Sequence, residues 1–330
     1  MACIVGILAG CSSGPPAPRT TARVSSVPAP GTSSPACPVG PLLVPACGLL
    51  VGVTSAKPNA DSLAQSEAAL ARPFDFIYRF HRITDVVPSE DEKALVRAGR
   101  LLHVSIDLGP DDTWASVVSG RFDVQLRAQA RGLAALKKPV WVTFEHEADN
   151  PAELARGSGA EFVAAWRHVR DLYRAEGASN AVWVWVMIGT EAGLPRAATM
   201  WPGNDAVDWI SWDVYNAAGC RTGTFEPKRW RTFAESMSVF RSWLTQRSAD
   251  LDIDLSKPMM LSEVGSVADP TDPTRRVQWY AEIPDVLRTF PEIKAVTLWD
   301  RTGNGACDYR FSGDPGVVAP VAKLFDAEPR

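Results

Sequence analysis

The sequence predicts an α/β fold, a (β/α)8 or TIM barrel, from three observations. Eight short apolar segments alternate with segments of helical periodicity, and seven of the eight are followed by a convincing helix. The apolar segments are near-continuous runs of Val, Ile, Leu and Trp, as in parallel strands whose outer face is covered. Eight such units over residues 48–327 also fit the usual length of this fold, roughly 250 residues. A doubly wound open sheet is the alternative, but VGVTSAKPNADS after the first strand lacks the expected glycine-rich phosphate loop.

The first four units are predicted from apolar runs and helix-end signals. Strands are expected at 49–55, 74–80, 101–109 and 139–147, and helices at 60–71, 89–99, 121–138 and 160–177. Ser89 is the predicted N-cap of the second helix and Gly99 its C-cap, and Gly177 closes the fourth helix. These signals place each helix directly after its strand.

The last four units follow the same pattern with one exception. Strands are expected at 181–189, 207–216, 258–266 and 293–301, and helices at 229–248, 274–290 and 316–327. The segment after the fifth strand, 190–205, is irregular, and Pro284 interrupts the helix of 274–290. The barrel is therefore predicted with one weak crossover.

Composition excludes several functional classes. The chain has 330 residues, 46% of them apolar and 22% charged, and a formal net charge of −4. No basic run occurs, so we expect no nucleic-acid partner. With four His and no C-x-x-C pair, we also expect no metal and no cofactor. No apolar stretch of the sequence is long enough to span a bilayer. We also expect the protein to be a monomer.

The N-terminus has the features of an exported protein. MACIVGILAGC ends in Leu-Ala-Gly-Cys, which resembles the lipobox of bacterial lipoproteins. That resemblance implies a signal peptide over 1–11 and a lipidated Cys11, so that the mature protein is anchored to the outer side of the cell membrane. Residues 12–36, rich in Pro, Ser and Thr, are predicted to be a disordered tether, and 37–330 a single domain. An ordinary apolar N-terminus is the alternative.

Cysteine usage agrees with export. Without Cys3 and Cys11, four cysteines remain, and four allow three pairings. The simplest choice pairs Cys37 with Cys47 and Cys220 with Cys307. Such structural disulfides are typical of an oxidising compartment.

Charged and aromatic residues collect at the predicted carboxyl ends of the strands, where this fold places its active sites. They are Arg79, His81, His103, Asp107, Glu145, His146, Glu147, Trp212, Asp213, Tyr215, Glu263, Trp299 and Asp300. Aromatic faces stack on sugar rings, and carboxylates bind hydroxyls or transfer protons. The combination therefore predicts a carbohydrate site.

Two of these carboxylates fit the hydrolysis of a glycosidic bond. Glu147 ends the fourth strand and Glu263 the seventh, and these strands face each other across a barrel. Hydrolysis needs one carboxyl group that protonates the leaving oxygen and a second that attacks the anomeric carbon.

Four segments, FEHE, WPGNDAVDWISWDVYN, LSEVG and VTLWDRTGNGACDYRF, together resemble glycoside hydrolase family 26. This family of (β/α)8 barrels contains β-mannanases, β-1,3-xylanases and lichenases. The resemblance implies that Glu147 is the acid/base, that Glu263 is the nucleophile, and that Tyr215 hydrogen-bonds the nucleophile. Thr143 and Ala148-Asp149-Asn150 depart from the family pattern, which predicts a retained catalytic core with rebuilt sugar subsites.

Several site residues have a second interpretation. Glu145 shares a predicted strand face with Glu147, so either is a candidate acid, although the preceding His favours Glu147. His146 is predicted to orient a carboxylate. His103 is either a core residue or a ligand contact, and Arg79 either an ion-pair partner or a hydroxyl donor. Trp212 and Trp299 are candidate sugar platforms, and Asp213 and Asp300 either bind substrate or hold loops.

Together these features predict a retaining β-glycoside hydrolase that acts on an extracellular or cell-envelope polysaccharide, with β-mannan as the first candidate. The alternative is a carbohydrate-binding lipoprotein that uses the same barrel without catalysis.

Overall fold

Eight parallel strands close into a barrel in the order β1 to β8 in the computed structural model, which describes residues 38–55 and 60–326. This confirms the predicted TIM barrel. The strands are β1 Leu50–Ser55, β2 Phe76–Arg82, β3 Leu101–Asp107, β4 Val140–Phe144, β5 Ala181–Met187, β6 Trp209–Asn216, β7 Met259–Ser266 and β8 Ile293–Asp300.

Helices cover the outside of the barrel. They are α1 Ala60–Leu70, α2 Glu90–Arg97, α3 Trp114–Val118, α4 Asp123–Ala135, α5 Gly159–Ala175, α6 Leu194–Ala197, α7 Phe233–Arg247, α8 Thr274–Ala281, α9 Ile283–Arg288 and α10 Pro315–Ala322. Ser89 caps α2 in a capping box with Glu92, as predicted. Pro284 divides the predicted helix of 274–290 into α8 and α9, because proline is tolerated in the first turn of a new helix.

The predicted ends of the second and fourth strands differ most from the observed ones. The second strand begins at Phe76 and continues to Arg82, beyond the predicted Phe80. The fourth strand stops at Phe144, so Glu145 and Glu147 are not strand residues as predicted. Both glutamates have positive φ, at 58° and 52°, which ends the extended conformation.

Two apolar layers hold the barrel together. Inside it, Phe76, Trp141, Trp209 and Met260 fill the end opposite the active-site mouth. A larger layer lies between the strands and the helices and includes Trp212. Nearer the mouth the strands bury polar side chains, among them His103, Thr143 and Ser211.

A disulfide joins two loops at the mouth of the barrel. Cys220 follows β6 and Cys307 follows β8, and their Cα atoms lie 5.0 Å apart. This confirms the predicted Cys220–Cys307 pair, which in the chain-entropy model stabilises the fold by about 4–5 kcal/mol. Cys37 lies outside the described residues, so its pairing with Cys47 stays a prediction. Cys11, the signal peptide and the tether also lie outside them.

The described residues all belong to the unit formed by residues 37–330. Among them, we find no helix with both the length and the apolar character required to cross a bilayer.

Candidate active site

A β-bulge in β7 aims the Glu263 side chain into the barrel. Trp212 pairs with Leu261 and Asp213 with Glu263, so Ser262 is the extra residue of β7. Ser262 hydrogen-bonds the inward-facing Ser211 at 2.5 Å, and the next residue, Glu263, also points inward. The bulge therefore breaks the alternation that would otherwise place Glu263 on the helix side.

The Glu263 carboxylate is held by two groups. Tyr215 Oη donates a 2.5 Å hydrogen bond to Glu263 Oε2, so the contact implied for Tyr215 is present. His146 Nε2 lies 3.1 Å from Glu263 Oε1. With only 5% of the residue exposed, Glu263 has a fixed orientation near the mouth.

His146 connects three of the predicted site residues. Its Nε2 lies 3.0 Å from Asp213 Oδ2 as well as close to Glu263, and its Nδ1 hydrogen-bonds Tyr78 Oη at 3.1 Å. The backbone N–H of His146 donates to Asp107 Oδ1 at 3.0 Å, which fixes the turn after β4. His146 thus orients carboxylates, and Asp107 orients His146.

The charges around His146 keep its imidazole ring protonated. Burial opposes the charged imidazolium, but Tyr78 and the carboxylates of Asp213 and Glu263 outweigh it, so the pKa of His146 is raised well above its ordinary value. Burial also raises the pKa of Asp213 well above its ordinary value. A positively charged or proton-sharing group therefore lies between two carboxylates at neutral pH.

Glu147 lies at the mouth beside this group. It is half-buried, and its Oε2 accepts a 2.9 Å hydrogen bond from Asn150 Nδ2. One oxygen of Glu147, one nitrogen of His146 and one oxygen of Asp213 lie within 4.8 Å of one another. Glu147 and Glu263 therefore approach the same imidazole.

Glu145 points away from Glu147, contrary to the predicted shared strand face. Its carboxylate accepts hydrogen bonds from Leu108 N at 2.6 Å and Trp114 Nε1 at 2.9 Å, and Arg156 lies 3.3 Å away. Burial and the charge of Asp107 raise the pKa of Glu145 to about 7. Through these hydrogen bonds Glu145 holds the loop between β3 and α3.

Two predicted substrate contacts, Trp212 and Arg79, lie away from the mouth, and these two predictions are wrong. Trp212 is fully buried on the helix side, where it stacks on Phe240 of α7 at 5.4 Å. Arg79 is 5% exposed and lies on the outer face of β2, where the carboxylate of Glu92 stabilises its positive charge. Both side chains alternate with inward-facing neighbours, which places them on the opposite face.

His103 is inside the barrel but below the site. It is fully buried, its ring stacks on Tyr78 at 3.8 Å, and its Nε2 hydrogen-bonds Thr143 Oγ1 at 2.8 Å. Burial lowers the pKa of His103 well below its ordinary value, so the ring is neutral. His103 is a core residue that supports the Tyr78 ring, which in turn contacts His146.

Two aromatic side chains, Trp299 and Phe80, are half-buried at the mouth. Trp299 at the end of β8 is half-buried and packs edge-on against Phe80 at 6.0 Å and against Tyr215 at 6.4 Å. Phe80 also contacts the His146 ring at 5.1 Å. Trp299 is therefore accessible to a ligand at the mouth. Asp300 holds the following loop, because its Oδ1 accepts a 2.9 Å hydrogen bond from the backbone N–H of Phe311.

Three residues of the mouth, Phe80, Asn150 and Arg221, were not predicted as site residues. Phe80 follows Tyr78 by two residues and lies on the same face of β2, so the strand pattern contained its signal. Asn150 follows Glu147 by three residues, the spacing of a turn contact. Arg221 is brought to the mouth by a loop, and its sequence carries no such signal.

Two cavities open on either side of this cluster. The acidic cavity, of about 500 Å³, is lined by Phe80, His81, Arg82, Asp85, Asp107, Glu145, His146, Glu147, Asn150, Ala152, Glu153, Arg156 and Asn304. The basic cavity, of about 430 Å³, is lined by Ile188, Gly189, Thr190, Glu191, Asp213, Tyr215, Asn216, Ala217, Ala218, Gly219, Arg221, Lys228, Arg229, Arg231, Ser236 and Val239. The acidic cavity borders Glu147, and the basic cavity borders Asp213 and Tyr215, the neighbours of His146 and Glu263.

One group among the described residues has the spacing of metal ligands, namely His146, Glu147 and Asp213. Both ring nitrogens of His146 already face partners, Tyr78 on one side and two carboxylates on the other. A cation bound there would break one of these contacts, so the arrangement favours a proton.

Comparison with known proteins gives relatives and structural neighbours. Endoglucanase H of Acetivibrio thermocellus is 24% identical over 295 residues, which are 85% of this chain and 31% of that protein. A β-1,3-xylanase of a Vibrio species is 25% identical over 232 residues, 63% of this chain and 47% of that protein. The chain thus spans less than half the length of these curated relatives. No protein-family profile matches it.

A solved structure of a glycoside hydrolase family 26 β-mannanase from Bacteroides ovatus is similar to this chain throughout the barrel. The TM-score is 0.59 at 16% sequence identity, and the match covers 84% of this chain and 88% of the mannanase. The resemblance predicted from four sequence motifs is therefore confirmed, and this chain has the fold of the family 26 β-mannanases.

Proposed function

We propose that the protein is a retaining β-glycoside hydrolase in which Glu147 is the acid/base and Glu263 the nucleophile. The observation that carries this proposal is the convergence of both carboxylates on His146, at a barrel mouth that opens into two cavities. Two carboxyl groups in different environments are what this reaction requires.

In the first step, protonated Glu147 donates its proton to the leaving glycosidic oxygen. Glu263 attacks the anomeric carbon, the bond to the leaving oxygen breaks, and a glycosyl ester forms. Tyr215 and His146 fix the orientation of Glu263 and bind its negative charge until the attack.

In the second step, Glu147 takes a proton from water, and the water oxygen attacks the anomeric carbon. The ester bond to Glu263 breaks, and the sugar leaves with its original anomeric configuration. Asn150 holds Glu147 at the mouth, where solvent reaches it.

The substrate class follows from the cavities and the relatives. The named relatives are an endoglucanase and a β-1,3-xylanase, and the named structural neighbour is a β-mannanase. We propose that this chain also cleaves a β-linked polysaccharide, with β-mannan, β-glucan and xylan as the first candidates. The Cys220–Cys307 disulfide supports a location outside the cytoplasm, where disulfides persist. We propose that the enzyme is held at the outer side of the cell membrane by a lipid on Cys11.

A pair of single variants tests the proposed roles. We expect Glu263→Ala to abolish turnover of every substrate. We expect Glu147→Ala to lose about 10²- to 10⁴-fold in kcat/KM on polysaccharide, but little on aryl glycosides whose leaving group needs no proton. Equal, wild-type-like rates for both variants would end this assignment.

A carbohydrate-binding protein without hydrolysis is the second candidate. The replacement of the family's usual residues by Ala148-Asp149-Asn150 directly after Glu147 favours it. Sugar binding at wild-type affinity by both variants, with no turnover by the wild-type protein on any polysaccharide, would support this candidate.

A further inference from the structure

The basic cavity carries an excess of positive charge next to the reacting centre. Four cationic residues line it, Arg221, Lys228, Arg229 and Arg231, against the two acids Glu191 and Asp213. Asp213 lies 3.0 Å from His146 and is therefore already balanced. The excess charge thus belongs to the cations of the loop between β6 and α7.

Two of these cations have acidic partners and two do not. Arg231 pairs with Glu191 at 2.8 Å, and Arg229 pairs with Glu226 at 3.1 Å. Within residues 38–55 and 60–326, neither Arg221 nor Lys228 has a carboxylate within 4.0 Å, and both side chains are exposed. Arg221 hydrogen-bonds the hydroxyl of Tyr309, which is a neutral partner and leaves the guanidinium charge unbalanced. Two cations in one cavity without acids are available to an anion from outside.

The loop that carries Arg221 is held in place. Cys220, its neighbour, is bonded to Cys307, and the carbonyl of Cys220 accepts a 3.0 Å hydrogen bond from Ala306 N. Gly305 is required at this crossing because a Cβ there would lie 2.7 Å from the carbonyl oxygens of Cys220 and Arg221. Arg221 is therefore less free to move than an ordinary surface arginine.

The fixed loop places Arg221 beside the reacting groups. Its guanidinium lies 5.9 Å from the centre of the Tyr215 ring, and Tyr215 hydrogen-bonds Glu263. The nearby carboxylate of Glu147 stabilises the positive charge of Arg221. A group bound by Arg221 consequently belongs to a sugar at or next to the cleaved bond.

We propose that the basic cavity binds a sugar residue with an anionic substituent, a carboxylate or a sulfate ester, through Arg221 and Lys228. The proposal rests on the proposed glycosidase function and adds its substrate class: an acidic polysaccharide whose charged residue lies on the β5–β6 side of the cleaved bond. A guanidinium binds a carboxylate or a sulfate through two parallel hydrogen bonds. The acidic cavity on the other side repels the same group.

Matched substrates test this proposal on the wild-type protein. Mannan, glucan and xylan backbones are each compared with derivatives of the same backbone, one carrying carboxylates from partial oxidation and one carrying sulfate esters. We expect about 10- to 100-fold higher kcat/KM on one charged derivative than on its neutral parent. This advantage should fall as NaCl rises from 50 to 500 mM, because salt screens exposed charges. Preference for carboxylate or for sulfate identifies the anion, and equal or better rates on every neutral parent would overturn the proposal.

A double variant assigns the preference to its residues. Arg221→Gln/Lys228→Gln should lower the ratio of charged to neutral kcat/KM by about 10- to 100-fold. The matched control, Arg97→Gln/Lys138→Gln, removes the same charge from exposed residues at a different cavity and should leave the ratio unchanged. An unchanged ratio in the first variant would contradict the assignment.

Binding separates failure of this inference from failure of the proposed function. Calorimetry with Glu263→Ala and charged or neutral oligosaccharides measures recognition without turnover. If the wild-type protein cleaves nothing but this variant binds the charged oligosaccharides more tightly, the inference holds and hydrolysis fails. If it binds both sets equally, the inference fails whatever the catalytic result.

Discussion

The acidic and basic cavities flank the same pair of carboxylates but differ in sign and in how their charges are used. In the acidic cavity, five acids face two arginines, and the buried Glu145 is held by Trp114, Leu108 and Arg156. In the basic cavity, four cations face two acids, and Arg221 and Lys228 have no carboxylate partner within the part of the chain that the structure describes. The first cavity has a buried supporting network, whereas the second leaves charge available for a ligand.

A charged residue at a barrel mouth is therefore not by itself a binding residue. Glu145 and Glu147 are separated by one residue, yet one holds a loop and the other faces solvent. Unpaired polar groups that face a cavity are better candidates for binding than groups whose hydrogen bonds are already satisfied.

Removal of the Glu145 side chain should destabilise the fold. Glu145→Ala leaves the buried Leu108 N–H and Trp114 Nε1 without acceptors, so we expect the free energy of unfolding to fall by about 3–5 kcal/mol. Urea denaturation measures this loss. Glu153→Ala is the control, because that partly exposed residue pairs with the same Arg156 and should cost about 1 kcal/mol or less. Equal urea midpoints for Glu145→Ala and the wild type would show that Glu145 is not structural.

Substitution of His146 should impair catalysis, because His146 contacts both Asp213 and Glu263. In His146→Gln, Asp213 and Glu263 face each other without a cation, so we expect kcat to fall by about 10²- to 10³-fold. One of the two carboxylates would then retain a proton to higher pH, which moves the acidic limb of the kcat profile upward. His168→Gln, which removes a histidine paired with Asp123 between two outer helices, should leave kcat unchanged. Equal kcat values and pH profiles for the two variants would refute this role.

Loss of the Tyr215 hydroxyl should reduce activity less. Tyr215→Phe removes one hydrogen bond to the charged Glu263, which corresponds to about 10- to 100-fold in kcat/KM. Steady-state kinetics on the best polysaccharide measures it. Tyr173→Phe, which loses a buried hydroxyl bonded to Gln129 far from the mouth, should keep wild-type kcat/KM. A drop of the same size in both variants would point to a general packing effect.

Asp149 should make stability depend on pH. Burial, with the charge of Glu147, raises the pKa of Asp149 to about 7, and its Oδ2 has no hydrogen-bond partner among the described groups. Because this folded pKa lies above the unfolded one, the folded state binds more protons between them. Its stabilising contribution is complete below about pH 4 and is lost as pH rises through about 7.

The Asp149→Asn variant isolates this contribution. Between pH 5 and 8 we expect the free energy of unfolding of the wild type to fall by on the order of 2 kcal/mol more than that of Asp149→Asn. Urea titrations at several pH values measure both curves. Parallel curves would show that Asp149 is already ionised at pH 5.

The barrel was predictable from sequence because buried parallel strands must be apolar on both faces. The runs around Val142 and Val184 indicate such strands whatever the loops do. Strand ends were less predictable, since the turn after β4 depends on positive φ at Glu145 and Glu147, which residue type does not specify. This explains why Glu145 was predicted on the wrong face.

The face of a strand on which a side chain lies could be predicted in part from its neighbours, but for Trp212 the prediction was wrong. Asp213 and Tyr215 share one face of β6, so Trp212 must face the helices. The inward aim of Glu263 depends on the bulge at Ser262, for which a single sequence gives no signal. The position of Arg221 depends on the Cys220–Cys307 disulfide, which joins loops 87 residues apart in the chain.

Trapping the glycosyl ester tests whether Glu263 forms a covalent bond with the sugar. The protein is incubated with activated 2-deoxy-2-fluoro β-glycosides of the neutral and anionic sugars, digested, and analysed by mass spectrometry. We predict one adduct, located on Glu263 and absent from Glu263→Ala. Saturable binding without any adduct, or an adduct on another carboxylate such as Asp213, would contradict the account.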